Sequence, residues 1–215
     1  MNIDAINKNI LNNILEKIQK DNNSDKHLKI LNVYLDKKFD LSEIKNKFKN
    51  SNILDLKIDN INSTNIYGYD YEEFDYIIIN NTLEKLVYPD KFLNSIKLYL
   101  KKDGFLMCSI PNLMYKNILK DLLNGKFNYS DSGILNKNNI RFFTLDEILN
   151  LFNKLDYNLE PTLAIVLDSD KENEFVNTLC KITDEKLRLN FNAYLYIVTA
   201  NKRISKTLYD YVFNK

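Results

Sequence analysis

Isoleucines at positions 3, 6, 10, 14 and 18 recur at three- and four-residue steps and stop before the polar cluster Asp21-Asn22-Asn23-Ser24-Asp25, the pattern of a helix with one narrow apolar stripe. Such a stripe predicts a helix laid on a sheet face. Residues 28–35 then read as a strand, 41–48 as a short helix and 53–58 as a second strand closed by Asp59. A polar, tyrosine-rich passage leads to residues 74–80, whose run Tyr76-Ile77-Ile78-Ile79 has the near-continuous apolar character of a strand buried on both faces. This strand is expected at the centre of the sheet. Pro89 opens a helix with Phe92, Leu93, Ile96 and Leu100 on one side, and Lys102-Asp103-Gly104 turns the chain into a strand at 105–110. A strand, a crossover helix and a strand imply parallel pairing.

Beyond Pro111 and Asn112 a helix carries Met114, Ile118, Leu119, Leu122 and Leu123 and ends near Gly125. Thr144 and Glu147 form a capping box for a helix with Leu145, Ile148, Leu149 and Phe152 on its apolar face, ending at Asp156. Residues 163–167 and 191–200 read as two further strands. Between them Asp170 is placed to cap a helix through Phe175, Val176, Leu179 and Ile182, and the tail after Asn201 suits a last helix. Alternating strands and helices predict an α/β protein with an open, mostly parallel sheet covered on both faces, whose ligands lie beyond the carboxyl ends of the strands. No internal repeat or Gly/Ser linker divides the chain, so a single domain at 28–215 is expected, with the helical segment 1–27 packed against it.

Bulk properties narrow the function. The 215 residues are 45% hydrophobic, enough for one continuous core, and 30 basic against 29 acidic side chains leave a net charge of +1. So balanced a surface would neither steer nucleic acid nor hold the chain on an anionic membrane, and the lysines at 37–49 are interrupted by acids and apolar helix positions. Cys108 and Cys180 are far apart in apolar surroundings, which suits reduced core thiols and a cytoplasmic setting. No run resembles a membrane span or a signal-peptide core. His27 is the sole histidine and precedes the first strand among polar residues, which leaves no Ser-His-Asp or Cys-His arrangement and no usual zinc pattern.

Five landmarks follow in order along residues 74–144. They are Phe74-Asp75-Tyr76-Ile77-Ile78-Ile79-Asn80, Leu83-Glu84-Lys85-Leu86, Gly104-Phe105-Leu106-Met107-Cys108-Ser109-Ile110-Pro111-Asn112, Asp131-Ser132-Gly133-Ile134-Leu135 and Arg141-Phe142-Phe143-Thr144. In this order and spacing they resemble the class I S-adenosylmethionine-dependent methyltransferases found among glycan-assembly enzymes. The resemblance is close over residues 74–157, extends over 175–202, and before residue 74 is one of topology. It implies a Rossmann-like sheet of seven strands, the last antiparallel, with helices on both faces and the methyl donor at the carboxyl edge.

In that family an acid ends the first strand and a G-x-G-x-G loop wraps the methionine part of the donor, because glycine lets the backbone turn sharply and touch the ligand. Here Asn32 stands for the acid, Tyr34, Asp36 and Lys38 stand for the glycines, and no glycine precedes Gly68. Left-handed conformations at such residues cost roughly 1–2 kcal/mol apiece, so the loop is expected to take another shape. The family's second contact, an acid that accepts hydrogen bonds from ribose hydroxyls, falls on Asp59; Asp55 lies inside the strand and suits it less. Asn80 and Asn81 complete the donor side.

On the substrate side the resemblance places Glu84, Asn112, Asp131, Arg141 and Phe142. Lys85 replaces the histidine of the family's L-E-H-L, and a lysine is protonated at neutral pH unless strongly desolvated. Glu84 and Lys85 then read as an exposed helix-end pair. Residues 131–144 resemble a D-S-G-I-L-D-x-T-H-L-R-F-F-T lid in which Asn136 and Asn139 replace the titratable groups, while Ile134, Leu135, Phe142 and Phe143 keep the packing frame. Arg141 suits either a substrate carboxylate or phosphate, or a structural bridge to an acid such as Asp131. No catalytic residue and no metal ligand is identified. Because the losses fall on positions with chemical roles, the expectation is a non-catalytic binding or scaffold module that no longer holds S-adenosylmethionine, working in surface-glycan assembly with a protein partner or a small-molecule ligand. The alternative is an active methyltransferase acting on a sugar or glycan intermediate.

Overall fold

The computed structural model describes residues 3–167 and 174–203. Along it run α1 (Ile3–Asp21), β1 (Lys29–Tyr34), α2 (Ser42–Lys47), β2 (Asn52–Lys57), β3 (Phe74–Asn80), α3 (Pro89–Ile96), β4 (Leu100–Pro111), α4 (Lys116–Leu123), α5 (Leu145–Lys154), β5 (Tyr157–Leu159), β6 (Leu163–Val166), α6 (Glu174–Ile182), α7 (Arg188–Asn192) and β7 (Ala193–Lys202). Asp170 and the tail beyond residue 203, both given roles by the sequence pattern, lie outside the described residues.

Period-two alternation sorts the strand side chains into two apolar layers. From β1 and β3, Leu31, Val33, Ile77 and Ile79 face the layer that contains Phe92, Leu93 and Ile96 of α3 and Ile148 and Phe152 of α5. Ile30, Tyr76 and Ile78 face the opposite layer, where Ile6, Ile10, Ile14 and Ile18 of α1 and Ile44 of α2 pack. Seven strands form one sheet in the order β2-β1-β3-β4-β7-β5, with β6 also paired to β7. The pairs among β1 to β4 are parallel and every partner of β7 is antiparallel to it. The fold is thus the expected Rossmann-like α/β sheet with β3 in its interior.

Several local expectations change. Leu100 opens β4 instead of closing the α3 face, and the turn at 101–104 is a bulge inside the strand: Phe74 pairs with Leu100, and pairing resumes at Tyr76 with Phe105. Gly104 is required there, since a Cβ would stand 2.9 Å from the Phe74 carbonyl oxygen and 3.0 Å from that of Asp75. Phe191 belongs to α7, not to the last strand, and the seventh strand is the short β5, reached from α5 through a turn at 155–156 in which Asp156 takes φ 53°. Leu122, Leu123 and Ile182, assigned to apolar faces, are exposed. Thr144 accepts from the Glu147 amide at 3.3 Å as a cap, and Gly125 ends α4 at φ 71°. Both cysteines are free and buried, and His27 is exposed. Among the described residues no helix is long and apolar enough to cross a membrane.

Candidate functional site

A cavity of about 630 Å³ opens at the carboxyl edge of the parallel strands. Its walls come from the first turns of α1, the 36–40 loop after β1, Asn80 to Lys85 after β3, Pro111 at the end of β4, and the segment 131–139. The crevice beyond the carboxyl ends is where an open α/β sheet exposes loop backbone that its layers cannot cover.

The loop after β1 has its own architecture. Asn32, fully buried in β1, donates through Nδ2 to the Phe39 carbonyl and to Asp55 Oδ1 of the neighbouring β2, both at 2.9 Å. The two donations tie the loop back over the strand that precedes it. Lys38 Nζ lies 2.5 Å from Asp55 Oδ2, and this contact holds the lysine above its ordinary pKa. Asp36 Oδ2 pairs with Lys85 Nζ at 3.0 Å, joining the tips of β1 and β3. None of residues 34–40 takes a left-handed φ. The loop therefore carries no left-handed strain at Tyr34, Asp36 or Lys38.

On the other side of the cavity, Asn81 does adopt φ 45°, and its amide donates to Ser109 Oγ at 3.1 Å while that hydroxyl donates to Asn80 Oδ1 at 2.5 Å. Asparagine tolerates this conformation better than most residues. Glu84 and Lys85 are not an exposed pair: Glu84 is 2% exposed, and the Lys85 side chain is 13% exposed and paired with Asp36. The chain passes through a single 3-10 turn, Leu83–Lys85, too short to present a solvated face. Burial pushes the Glu84 carboxyl up to about 7, with its own backbone amide and Lys85 opposing the shift. Among the described residues Glu84 Oε2 has no hydrogen-bond partner.

The Glu84 carbonyl accepts from the amides of Ile140 and Arg141, each at 2.9 Å, which clips the 131–144 segment onto the turn after β3. Asn139 is thereby carried into the cavity wall, 6% exposed, donating to the Ile134 carbonyl and leaving Oδ1 without a partner. Arg141 does not bridge to Asp131. Its Nη2 donates to the Val87 carbonyl at 2.5 Å, whereas Asp131 pairs with Lys137 at 2.6 Å, which holds its carboxyl below the ordinary value. Phe142 packs edge-on against Phe127, 5.9 Å between ring centroids. Asn112 is consumed by structure: its amide donates to the carbonyls of Asn190 and Ala193, and its oxygen accepts from the Met114 amide.

Of the residues singled out from sequence, Asp36, Asn80, Asn81, Glu84 and Asp131 line the cavity, whereas Asn32, Tyr34, Asp59, Asn112, Arg141 and Phe142 do not. Asp59 lies beyond the end of β2 and is exposed. The α1 contribution, including Asn7 and Lys8, was not anticipated, because nothing in an amphipathic pattern says which turns overhang a cavity. Among the described residues no group of three or more His, Cys, Asp or Glu side chains is placed to hold a metal.

Sheet order, the single reversed strand and the cavity position define a Rossmann-like α/β protein of the kind that binds ligands at the carboxyl edge. The chain belongs to the methyltransferase domain family, whose profile matches residues 5–162. Among solved structures it is similar to a SAM-dependent methyltransferase from Archaeoglobus fulgidus, at 13% identity over 89% of this chain and 94% of that one, with a TM-score of 0.52. It is also similar to the YcgJ protein from Bacillus subtilis, at 12% identity over 92% of this chain and 100% of that one, TM-score 0.51. At such identities the likeness speaks for the fold alone. The curated proteins contain no match.

Proposed function

We propose that this methyltransferase-family chain no longer holds S-adenosylmethionine and acts as a non-catalytic binding module through the cavity at its carboxyl edge. One observation carries this reading: the loop that should wrap the donor is fastened to the protein itself. Asn32 holds the Phe39 carbonyl, Lys38 holds Asp55, and Asp36 holds Lys85 across the tips of β1 and β3. A donor's methionine end needs bare backbone at that place, and here it would meet side chains that already have partners. The residues present do not fit that group. A place in surface-glycan assembly rests on the resemblance of residues 74–144, a cytoplasmic setting rests on two unpaired buried cysteines, and the partner is either a small glycan-like molecule or an active enzyme of the same pathway.

A second reading, an active methyltransferase on a sugar or glycan intermediate, is favoured by Glu84, a cavity-lining carboxyl held near 7 in the range where a general base works at neutral pH. Thermal unfolding with increasing S-adenosylmethionine or S-adenosylhomocysteine separates the two, since a ligand of the native state stabilises it by about 2.7 kcal/mol at a hundred times its Kd. The first reading expects no movement of the midpoint; a rise that grows with concentration sinks it.

A further inference from the structure

Two buried acceptors in the cavity wall have no donor among the described residues. Glu84 Oε2 and Asn139 Oδ1 belong to side chains 2% and 6% exposed, on segments held together by the Ile140 and Arg141 amides on the Glu84 carbonyl. Unpaired acceptors shielded this far are costly to keep, and a donor supplied from outside the chain removes that cost. The donors nearby are engaged elsewhere: Lys85 with Asp36, Lys38 with Asp55, and the Asn139 amide with Ile134. Six carboxylates against four lysines line the cavity, so its wall carries an excess of negative charge.

We propose that the cavity binds a small polyhydroxy amine, with its ammonium group donating to Glu84 Oε2 and Asn139 Oδ1. An ammonium has three N–H donors and no acceptor, which suits two unpartnered acceptors, one on the turn after β3 and one on the 131–139 segment clipped to it. Its charge meets a buried carboxylate, where a charge-assisted bond is strongest. Asn80 and Asn81 along the same wall offer amide N–H groups to hydroxyls of the ligand body, whereas both ends of the Asn136 amide are engaged within its own segment. The ligand's cation would also favour the ionised form of Glu84, relieving what burial imposes on it. The proposal rests on the cavity being the working site of the module, but not on the loss of the methyl donor.

Glucamine and sorbitol, which share a carbon chain and differ in amine against hydroxyl, are the probes. Titrated to about 50 mM into the full chain and followed by amide NMR shifts, they cover the millimolar affinities usual for so small a ligand. The expected result is shifts at residues 80–85 and 136–140 with glucamine, at least about tenfold weaker binding of sorbitol, and loss of that difference in Glu84→Gln. Gln keeps the shape and removes a buried charge, so the variant should fold; Asn139→Ala gives a second, milder loss. Equal binding of both probes, undiminished glucamine binding by Glu84→Gln, or no binding at all overturns the proposal. Glucamine binding together with a response to S-adenosylmethionine would sink only the reading that the donor site is lost. Failure of glucamine with no such response would sink only the amine assignment.

Discussion

Removing the charge from Glu84 should stabilise the protein, and by an amount that depends on pH. In the unfolded chain this carboxyl titrates near its ordinary value of 4.5, and in the fold it titrates at about 7, chiefly because burial disfavours the ionised form. Between those values the unfolded state releases a proton that the folded state keeps, so stability falls as pH rises from 4.5 and levels off only above 7. At about 1.4 kcal/mol for each tenfold change in acidity, the full penalty at alkaline pH is about 3 kcal/mol. Glu84→Gln never pays it. Urea unfolding of both proteins from about pH 5 to about pH 8 should therefore give curves that draw apart, with the variant gaining about 2–3 kcal/mol on the wild type across the range. In thermal scans the same gain is worth roughly 5–10 °C for a chain of this size. A gap of constant height across the range would refute the reasoning, since it would mean that Glu84 ionises alike in both states. A ligand that presents a cation to Glu84 should flatten the wild-type curve and leave that of the variant untouched.

Asn32→Asp, which restores the acid that the family places there, should destabilise by about 3 kcal/mol at neutral pH, because a carboxylate would face Asp55 and the Phe39 carbonyl where an amide now donates to both; chemical denaturation measures it. Gly104→Ala should cost about 1–3 kcal/mol, as the new methyl meets two backbone carbonyls that cannot retreat, and a lowered denaturant midpoint is the readout. Thr144→Ala should cost about 1 kcal/mol through loss of the α5 cap, with Thr144→Ser restoring most of it in the same assay.

Six of the seven strands and most helices were legible because burial on two faces writes itself as alternation and because caps such as Thr144 and stops such as Gly125 act locally. What escaped depended on distant partners. The bulge in β4 follows from how Leu100 and Phe105 meet β3, and only Gly104 hinted at it. Half of the site escaped in the same way. The pattern Leu83-Glu84-Lys85-Leu86 looks like a solvated turn in one dimension; its burial comes from Asp36 on one side and the 139–141 backbone on the other, 48 and more residues away in sequence. Asn112 and Arg141 were read as substrate groups since their types suit recognition, but nearby carbonyls at Asn190, Ala193 and Val87 claim them.

Substitutions that merely decay a binding loop leave new side chains unengaged, pointing into solvent. Those at the tip of β1 do otherwise. Asn32 needs Asp55 as acceptor, Asp55 takes Lys38 as well, and Asp36 takes Lys85, which stands where the family has histidine. Asn32 and Lys38 thus share a partner one strand away, and Asp36 and Lys85, both departures from the methyltransferase pattern, partner each other. An acid at position 32 would repel Asp55, and a neutral histidine at 85 would leave Asp36 without its cation. The network is consistent only as a set, so the positions are coupled, and restoring one family residue alone should be worse than restoring none.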